Sequence, residues 1–145
     1  MGKVRILVLL LVLGACAGAR APSPTPGGFE DIVAGLVLRG ATITDQVSGD
    51  AGCHDPTLYG NAVRLDVRMP GQTDSQPIHL FGWRRTSDYE AAALAFEACV
   101  ESYAASHPAS RITEAEAAPW RAFGPDWSAA LSSAVEQSLG EASGT

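Results

Sequence analysis

Two runs of alternating residues, joined by a loop rich in proline and glycine, constrain the fold of this chain more than any other feature. From Ala62 to Met69, apolar side chains occupy every second position after Val63, with charged side chains between them. Residues 70–77 contain two prolines and a glycine, and an apolar run follows over residues 78–84. Because successive side chains of a strand lie on opposite faces, this pattern predicts a half-buried β-hairpin.

Helical periodicity flanks the hairpin on both sides. Apolar residues recur at helical spacing within residues 29–37, 89–103 and 127–139. Residues 41–47 and 111–115 are predicted as further strands. The order α-β-β-β-α-β-α indicates an α+β fold, with an antiparallel-rich sheet of three or four strands and helices packed on one face. We expect a single domain over residues 29–141 and a disordered tail at 142–145.

The N-terminus has the pattern of an export signal. A basic start with Lys3 and Arg5 precedes an apolar run over residues 6–13, which is far shorter than the ~20 residues of a membrane span. The following Leu13-Gly14-Ala15-Cys16 resembles the lipobox of bacterial lipoproteins. The resemblance implies a signal peptide at 1–15, cleavage before Cys16, lipidation of Cys16, and an extracytoplasmic domain anchored to the membrane by that lipid. The alternative is an ordinary secretory signal cut after Ala17 or Ala19, which would discard Cys16.

The segment that follows the lipobox is typical of a spacer. Residues 16–28 contain prolines at every second position from Pro22 to Pro26, then two glycines. Alternating prolines favour polyproline II, which rises ~3.1 Å per residue. We therefore interpret residues 16–28 as the lipidated cysteine and a tether that holds the domain up to roughly 30 Å from the bilayer.

Cysteine parity predicts a disulfide. If Cys16 is lipidated, Cys53 and Cys99 remain as a pair in an oxidising compartment, where such pairs usually bridge. The alternative is two buried free thiols. A Cys-x-x-Cys motif is absent from the sequence, which favours a structural role for both residues.

A broader resemblance covers most of the mature chain. Gly52-Cys53, the Ala98-Cys99 helix with Tyr103, and the segment at 122–127 make the chain similar to small uncharacterised lipoproteins of GC-rich bacteria. Such families have no assigned activity, so the resemblance implies no catalytic residue.

Charge and missing motifs exclude several functions. Cleavage before Cys16 removes Lys3, the only lysine, and leaves eight arginines against sixteen carboxylates. That excess of negative charge disfavours both nucleic acid and anionic lipid head groups as partners. A chain without lysine has no P-loop or Schiff-base lysine. We expect no cofactor and identify no catalytic residue.

Three histidines raise the question of metal binding or acid/base chemistry. His54, His79 and His107 do not share the spacing of metal ligands, so we expect no metal site. His54, Asp55 or His79 could instead act as acid/base groups. The rival functional hypothesis is accordingly a small exported enzyme of the hydrolase type.

The third predicted strand provides the main functional hypothesis. Its alternation places Ile78 and Leu80 on one face, and His79, Phe81 and Trp83 on the other. If uncovered, the second group would form an aromatic patch for an envelope protein, a peptide or a glycan. The alternative is that the first or last helix, or the segment with Trp120 and Phe123, covers it. Arg84 and Arg85 could hold an anion beside the next helix, or be solvated or paired with Asp88.

Overall fold

The computed structural model describes residues 26–144, so the predicted signal peptide, Cys16, most of the predicted tether and Thr145 lie outside the described residues. Ten elements follow one another along the described chain: α1 (Phe29–Leu38), β1 (Thr42–Ser48), α2 (Pro56–Tyr59), β2 (Ala62–Arg68), β3 (Gln76–Gly82), α3 (Thr86–Ala91), α4 (Ala93–Ser106), β4 (Ile112–Ala117), β5 (Trp120–Pro125) and α5 (Ala129–Ser143).

The strands form a five-stranded sheet in the order β1-β2-β3-β5-β4, and every neighbouring pair is antiparallel. The α+β class, the antiparallel sheet and the β2–β3 hairpin are therefore confirmed. In the hairpin, Leu65 pairs with Ile78 and Ala62 with Phe81. Leu65 and Val67 are fully buried, as the alternation predicts.

β5 was not predicted: the sequence indicated three or four strands, with none between residue 115 and the last helix. β5 lies inside the sheet, between β3 and β4, and is buried on both faces, so its side chains show no polar alternation. Glycine and proline at its end also resemble a helix start. Pro125 is tolerated there because it occupies the last position of the strand, opposite Ile112.

Helices pack on both faces of the sheet, not on one face as expected. Helices α1 and α5 cover the face that carries Leu80 and Ala122. Helix α4 covers the opposite face, where Phe96 contacts Phe81 and Phe123. Helices are needed on both faces because β3 and β5 carry mainly apolar side chains on both. Each of these two faces is buried by packing against a helix.

Two further details differ from the expected boundaries. The helix predicted over residues 89–103 is two helices, α3 and α4, which meet at Ala92. Helix α5 runs through Ser143, beyond the residue at which we expected a disordered tail to begin. Ala142 is buried, and its carbonyl oxygen accepts a hydrogen bond from the Gly27 amide. The last turn of α5 is thus held against the start of the domain.

The disulfide between Cys53 and Cys99 is confirmed. It joins the loop before α2 to the middle of α4 with a Cα–Cα distance of 5.4 Å, inside the usual range of about 4.4–6.8 Å. The bridge therefore fixes α4 against the segment that precedes β2.

Candidate functional site

His79, Phe81 and Trp83 do not form an exposed patch. Their exposed fractions are 3%, 0% and 7%. The expectation of an uncovered aromatic surface was wrong because α4 lies across this face, with Phe96 perpendicular to Phe81 at 5.2 Å between ring centroids. Neither helix proposed as the alternative cover, the first or the last, lies on this face. Phe123 lies beside two of the three residues within the sheet, with its ring stacked on those of His79 and Phe81.

His79 is the one buried histidine of the described chain. Its Nδ1 lies 3.4 Å from the carbonyl oxygen of Asp50 and 3.7 Å from a carboxylate oxygen of the same residue. Phe123 and Tyr103 contact the ring at centroid distances of 5.0 and 5.1 Å. Burial lowers the pKa of His79, although Asp50 partly opposes that effect. The ring is therefore neutral at pH 7, as a packed core residue.

The lowered pKa of His79 predicts a loss of stability in mild acid. Between the folded pKa and the ordinary value of about 6.5, the unfolded chain binds more protons than the folded chain. The free energy of unfolding should accordingly fall as the pH drops below about 6.5. Urea unfolding at pH 7.5 and 5.5 should show a smaller pH dependence for His79→Gln than for the parent chain.

The exposed His54 provides the matched control for this experiment. His54→Gln should keep the pH dependence of the parent chain. Asp50, Arg64 and Tyr103 also face the His79 ring or its partner Asp50. The comparison therefore uses, for each variant, the change in the free energy of unfolding between pH 7.5 and pH 5.5. An equal pH dependence in all three proteins would show that His79 does not carry the effect.

The residues of the rival enzyme hypothesis do not meet in a cleft. Asp55 is the N-cap of α2 and accepts hydrogen bonds from the Thr57 amide at 2.9 Å and the Thr57 hydroxyl at 2.7 Å. These bonds lower the pKa of the Asp55 carboxyl. His54 is exposed, whereas His79 is enclosed by the core. Residues 26–144 contain no cluster of histidine, cysteine and carboxylate side chains that could hold a metal ion.

A groove that the sequence analysis did not predict opens at one end of the sheet. We call it the strand-end groove, because β1 and β3 end there and β2 and β5 begin there. At this end of the sheet, Ser48 of β1 pairs with Val63 of β2, and Gly82 of β3 pairs with Trp120 of β5. Its volume is about 880 Å³, within the range of about 300–1,000 Å³ typical of small-molecule sites. It is lined by Leu80 and by residues from five segments: 26–29, 48–49, 59–63, 82–84 and 119–120.

Tight backbone packing shapes the groove. The six-membered ring of Trp120 lies so close to Gly82 that a β-carbon there would stand 2.1 Å from Cζ3, hence only glycine fits. The Trp83 amide donates a hydrogen bond to the Pro119 carbonyl at 3.2 Å, which joins the end of β3 to the β4–β5 turn. These contacts hold both tryptophans in the groove wall.

Two polar groups at the groove have no partner among the described residues. The indole Nε1 of Trp120 is buried and makes no hydrogen bond, although buried tryptophan N–H groups are usually paired. The side-chain amide of Asn61 makes no hydrogen bond with any residue of the described range, whereas its backbone amide donates to the Leu58 carbonyl oxygen. Asn61 also borders a second hollow of about 470 Å³, which shares Trp83 and Arg84 with the groove.

Arg84 is the only charged residue that lines the strand-end groove. Both Arg84 and Arg85 are exposed, and neither forms an ion pair with a carboxylate of the described chain, Asp88 included. Of the two alternatives for these arginines, exposure to solvent is found and pairing with Asp88 is not. The groove could not be located from sequence because its walls come from segments spread over residues 26–120.

Two further findings concern membrane-spanning helices and similarity to known proteins. Among the described helices, none combines the length and the apolar character needed to cross a membrane. No protein-family model matches the chain, and no curated protein or solved structure is significantly similar to it.

Proposed function

We propose that this chain is an exported lipoprotein, anchored to the membrane through Cys16, whose domain binds a ligand in the strand-end groove at the cell envelope and catalyses no reaction. The observation that carries this proposal is the groove itself, at the end of the domain where the chain from the proposed anchor enters. Pro26 and Phe29, at the start of the described residues, both line it. A ligand in the groove would therefore lie on the membrane-proximal end of the domain.

The rival function as an exported hydrolase has no geometric support among the described residues. A general acid or base must lie within about 2.6–3.2 Å of the group it serves, directly or through one water. His54, Asp55 and His79 are respectively exposed, engaged as a helix cap and enclosed by the core. None of them lines the strand-end groove.

The anchoring part of the proposal is tested at Cys16. We expect Cys16→Ser to lose the acyl mass and to leave the membrane fraction, because membrane attachment would then lack its acyl chains. Intact mass spectrometry and detergent-phase partitioning measure both effects. Ser23→Ala, which keeps the lipobox, is the control and should partition as the parent chain does. Continued membrane partitioning of Cys16→Ser would contradict the lipid anchor.

The binding part is tested by filling the groove. Gly60 lines it, has a right-handed helical backbone and has open space around its Cα, so a leucine fits there without strain. We expect native mass spectrometry of the protein from its own membrane to show a bound ligand that Gly60→Leu loses. Gly140→Leu, also in open space but on α5, should retain it. Equal ligand occupancy in both variants would refute binding in the groove.

A further inference from the structure

We infer that the strand-end groove takes a single-chain anionic lipid, with the acyl chain along the groove and the anionic head group on Arg84. This inference rests on the proposed function, since it names the ligand class of the same site. Three observations carry it: the charge of the groove, the nature of its walls and its position relative to the chain entry.

The charge of the groove is opposite to that of the protein. All sixteen carboxylates of the chain follow residue 28, against seven arginines in the same part. None of those carboxylates lines the groove itself. The carboxylates of Asp31 and Glu30 lie next to Gly27 and Gly28 of its wall, and Asp88 borders the second hollow. Arg84 lines the groove without an ion-pair partner in the described range. A guanidinium binds carboxylate and phosphate oxygens through paired, charge-assisted hydrogen bonds. An anionic head group is thus favoured at this point, and a cationic one is disfavoured.

The walls of the groove are suited to an acyl chain. Trp83, Trp120, Leu80, Val63 and Pro119 supply aromatic and aliphatic surface beside Arg84. Tryptophan is favoured where an apolar region meets a polar one, because its ring is apolar and its N–H is a donor. Arg84 stands next to Trp83 in the chain, so head group and acyl chain would be recognised by adjacent residues.

The position of the groove brings it close to a source of such lipids. The chain enters the domain at Pro26, in the groove wall, ten residues after Cys16. An extended segment of that length spans roughly 30 Å. A domain on this tether would keep the groove within that distance of the bilayer surface.

The experiment uses the proposed mature chain, residues 16–145 with Cys16→Ser, which has neither the apolar run at residues 6–13 nor an acyl chain of its own to compete. Dodecanoate, dodecyltrimethylammonium and a proline-rich peptide are added separately, each below any micelle concentration, to protein carrying ¹⁵N-labelled tryptophan. Trp83 and Trp120 line the groove, whereas the Trp127 Nε1 is buried elsewhere and donates to the Pro77 carbonyl at 2.9 Å. We expect dodecanoate to shift the indole signals of Trp83 and Trp120 and to leave that of Trp127 unchanged.

Affinity should depend on both parts of the ligand. Arg84→Gln should weaken dodecanoate binding about tenfold or more, as expected when a charge-assisted hydrogen bond is lost. Arg68→Gln is the matched control, because Arg68 is an exposed arginine outside the groove. Each methylene added between decanoate and tetradecanoate should tighten binding by up to about fourfold.

Specific results would overturn the inference. Equal affinity for the anionic and cationic amphiphiles, or equal loss of affinity in Arg84→Gln and Arg68→Gln, would rule out head-group recognition by Arg84. If only the proline-rich peptide shifted the indole signals of Trp83 and Trp120, the groove would be assigned to a protein partner. Failure of dodecanoate, combined with a native ligand that Gly60→Leu loses, would reject the lipid and leave the proposed function standing. If Gly60→Leu and Gly140→Leu hold equal amounts of native ligand, the proposed function fails as well.

Discussion

Replacement of Phe81 by alanine is expected to lower the free energy of unfolding by about 3–5 kcal/mol, the usual cost of truncating a buried aromatic ring. Phe81 is fully buried in β3 and contacts Phe96 of α4 and Phe123 of β5, at centroid distances of 5.2 and 5.9 Å. The truncation would leave a cavity between the sheet and α4. Since small domains are stable by only about 5–15 kcal/mol, the variant should unfold at a much lower urea concentration.

Leu94→Ala is the matched control for Phe81→Ala. Leu94 lies in the first turn of α4 but is 79% exposed, so its truncation should change the free energy of unfolding by less than about 0.5 kcal/mol. Urea unfolding followed by circular dichroism measures both variants. A loss below about 1 kcal/mol for Phe81→Ala would contradict a layer in which α4 covers β3. Such a result would instead favour the hypothesis in which His79, Phe81 and Trp83 form an exposed aromatic patch.

The second large effect is expected from the disulfide. Cys53 and Cys99 are separated by 46 residues, and closing a loop of that length stabilises a fold by about 4 kcal/mol in the chain-entropy model. The double variant Cys53→Ala/Cys99→Ala should lose roughly that amount. The loss should be largest near α4, because the bridge ties this helix to the loop before α2.

Reduction of the parent chain provides the control for the disulfide variant. Dithiothreitol should destabilise the parent chain by a similar amount and leave the double variant unchanged, because the variant has no bridge to reduce. Mass spectrometry after alkylation counts the free thiols at the same time. If the reductant leaves the stability of the parent chain unchanged, residues 53 and 99 are not bridged in the mature protein.

Periodicity over a few neighbouring residues was sufficient to predict the β2–β3 hairpin and the main helices. The β2–β3 hairpin follows from a period of two along residues 63–69 and a loop that breaks the chain. Helices α1, α4 and α5 follow from apolar stripes at helical spacing. β5 has neither period, since neighbours on both sides and helices on both faces bury it. A strand of that kind is recognised only once its neighbours are in place.

For the candidate site too, single residues could be predicted from the sequence, but their arrangement depends on tertiary contacts. The sequence singled out Trp83 and Arg84, but it left open whether the sheet face with Trp83 is exposed, and it placed Arg84 beside a helix end. Strand alternation assigns side chains to a face, and says nothing about which helix covers that face. The strand-end groove depends on five segments meeting at one end of the sheet, and on Trp120 lying against Gly82.

The amino-acid sequence alone determined the hairpin, the main helices, the acidic charge and the pairing of Cys53 with Cys99, because each depends on local periodicity, on composition or on the number of cysteines. The tertiary structure alone decided that β5 lies inside the sheet, that α4 covers the face with His79, Phe81 and Trp83, and that a groove with Arg84 as its one charged lining residue opens at the strand ends. These features arise from contacts between residues far apart in the chain, and such contacts are set by how the layers pack together, not by any short stretch of sequence.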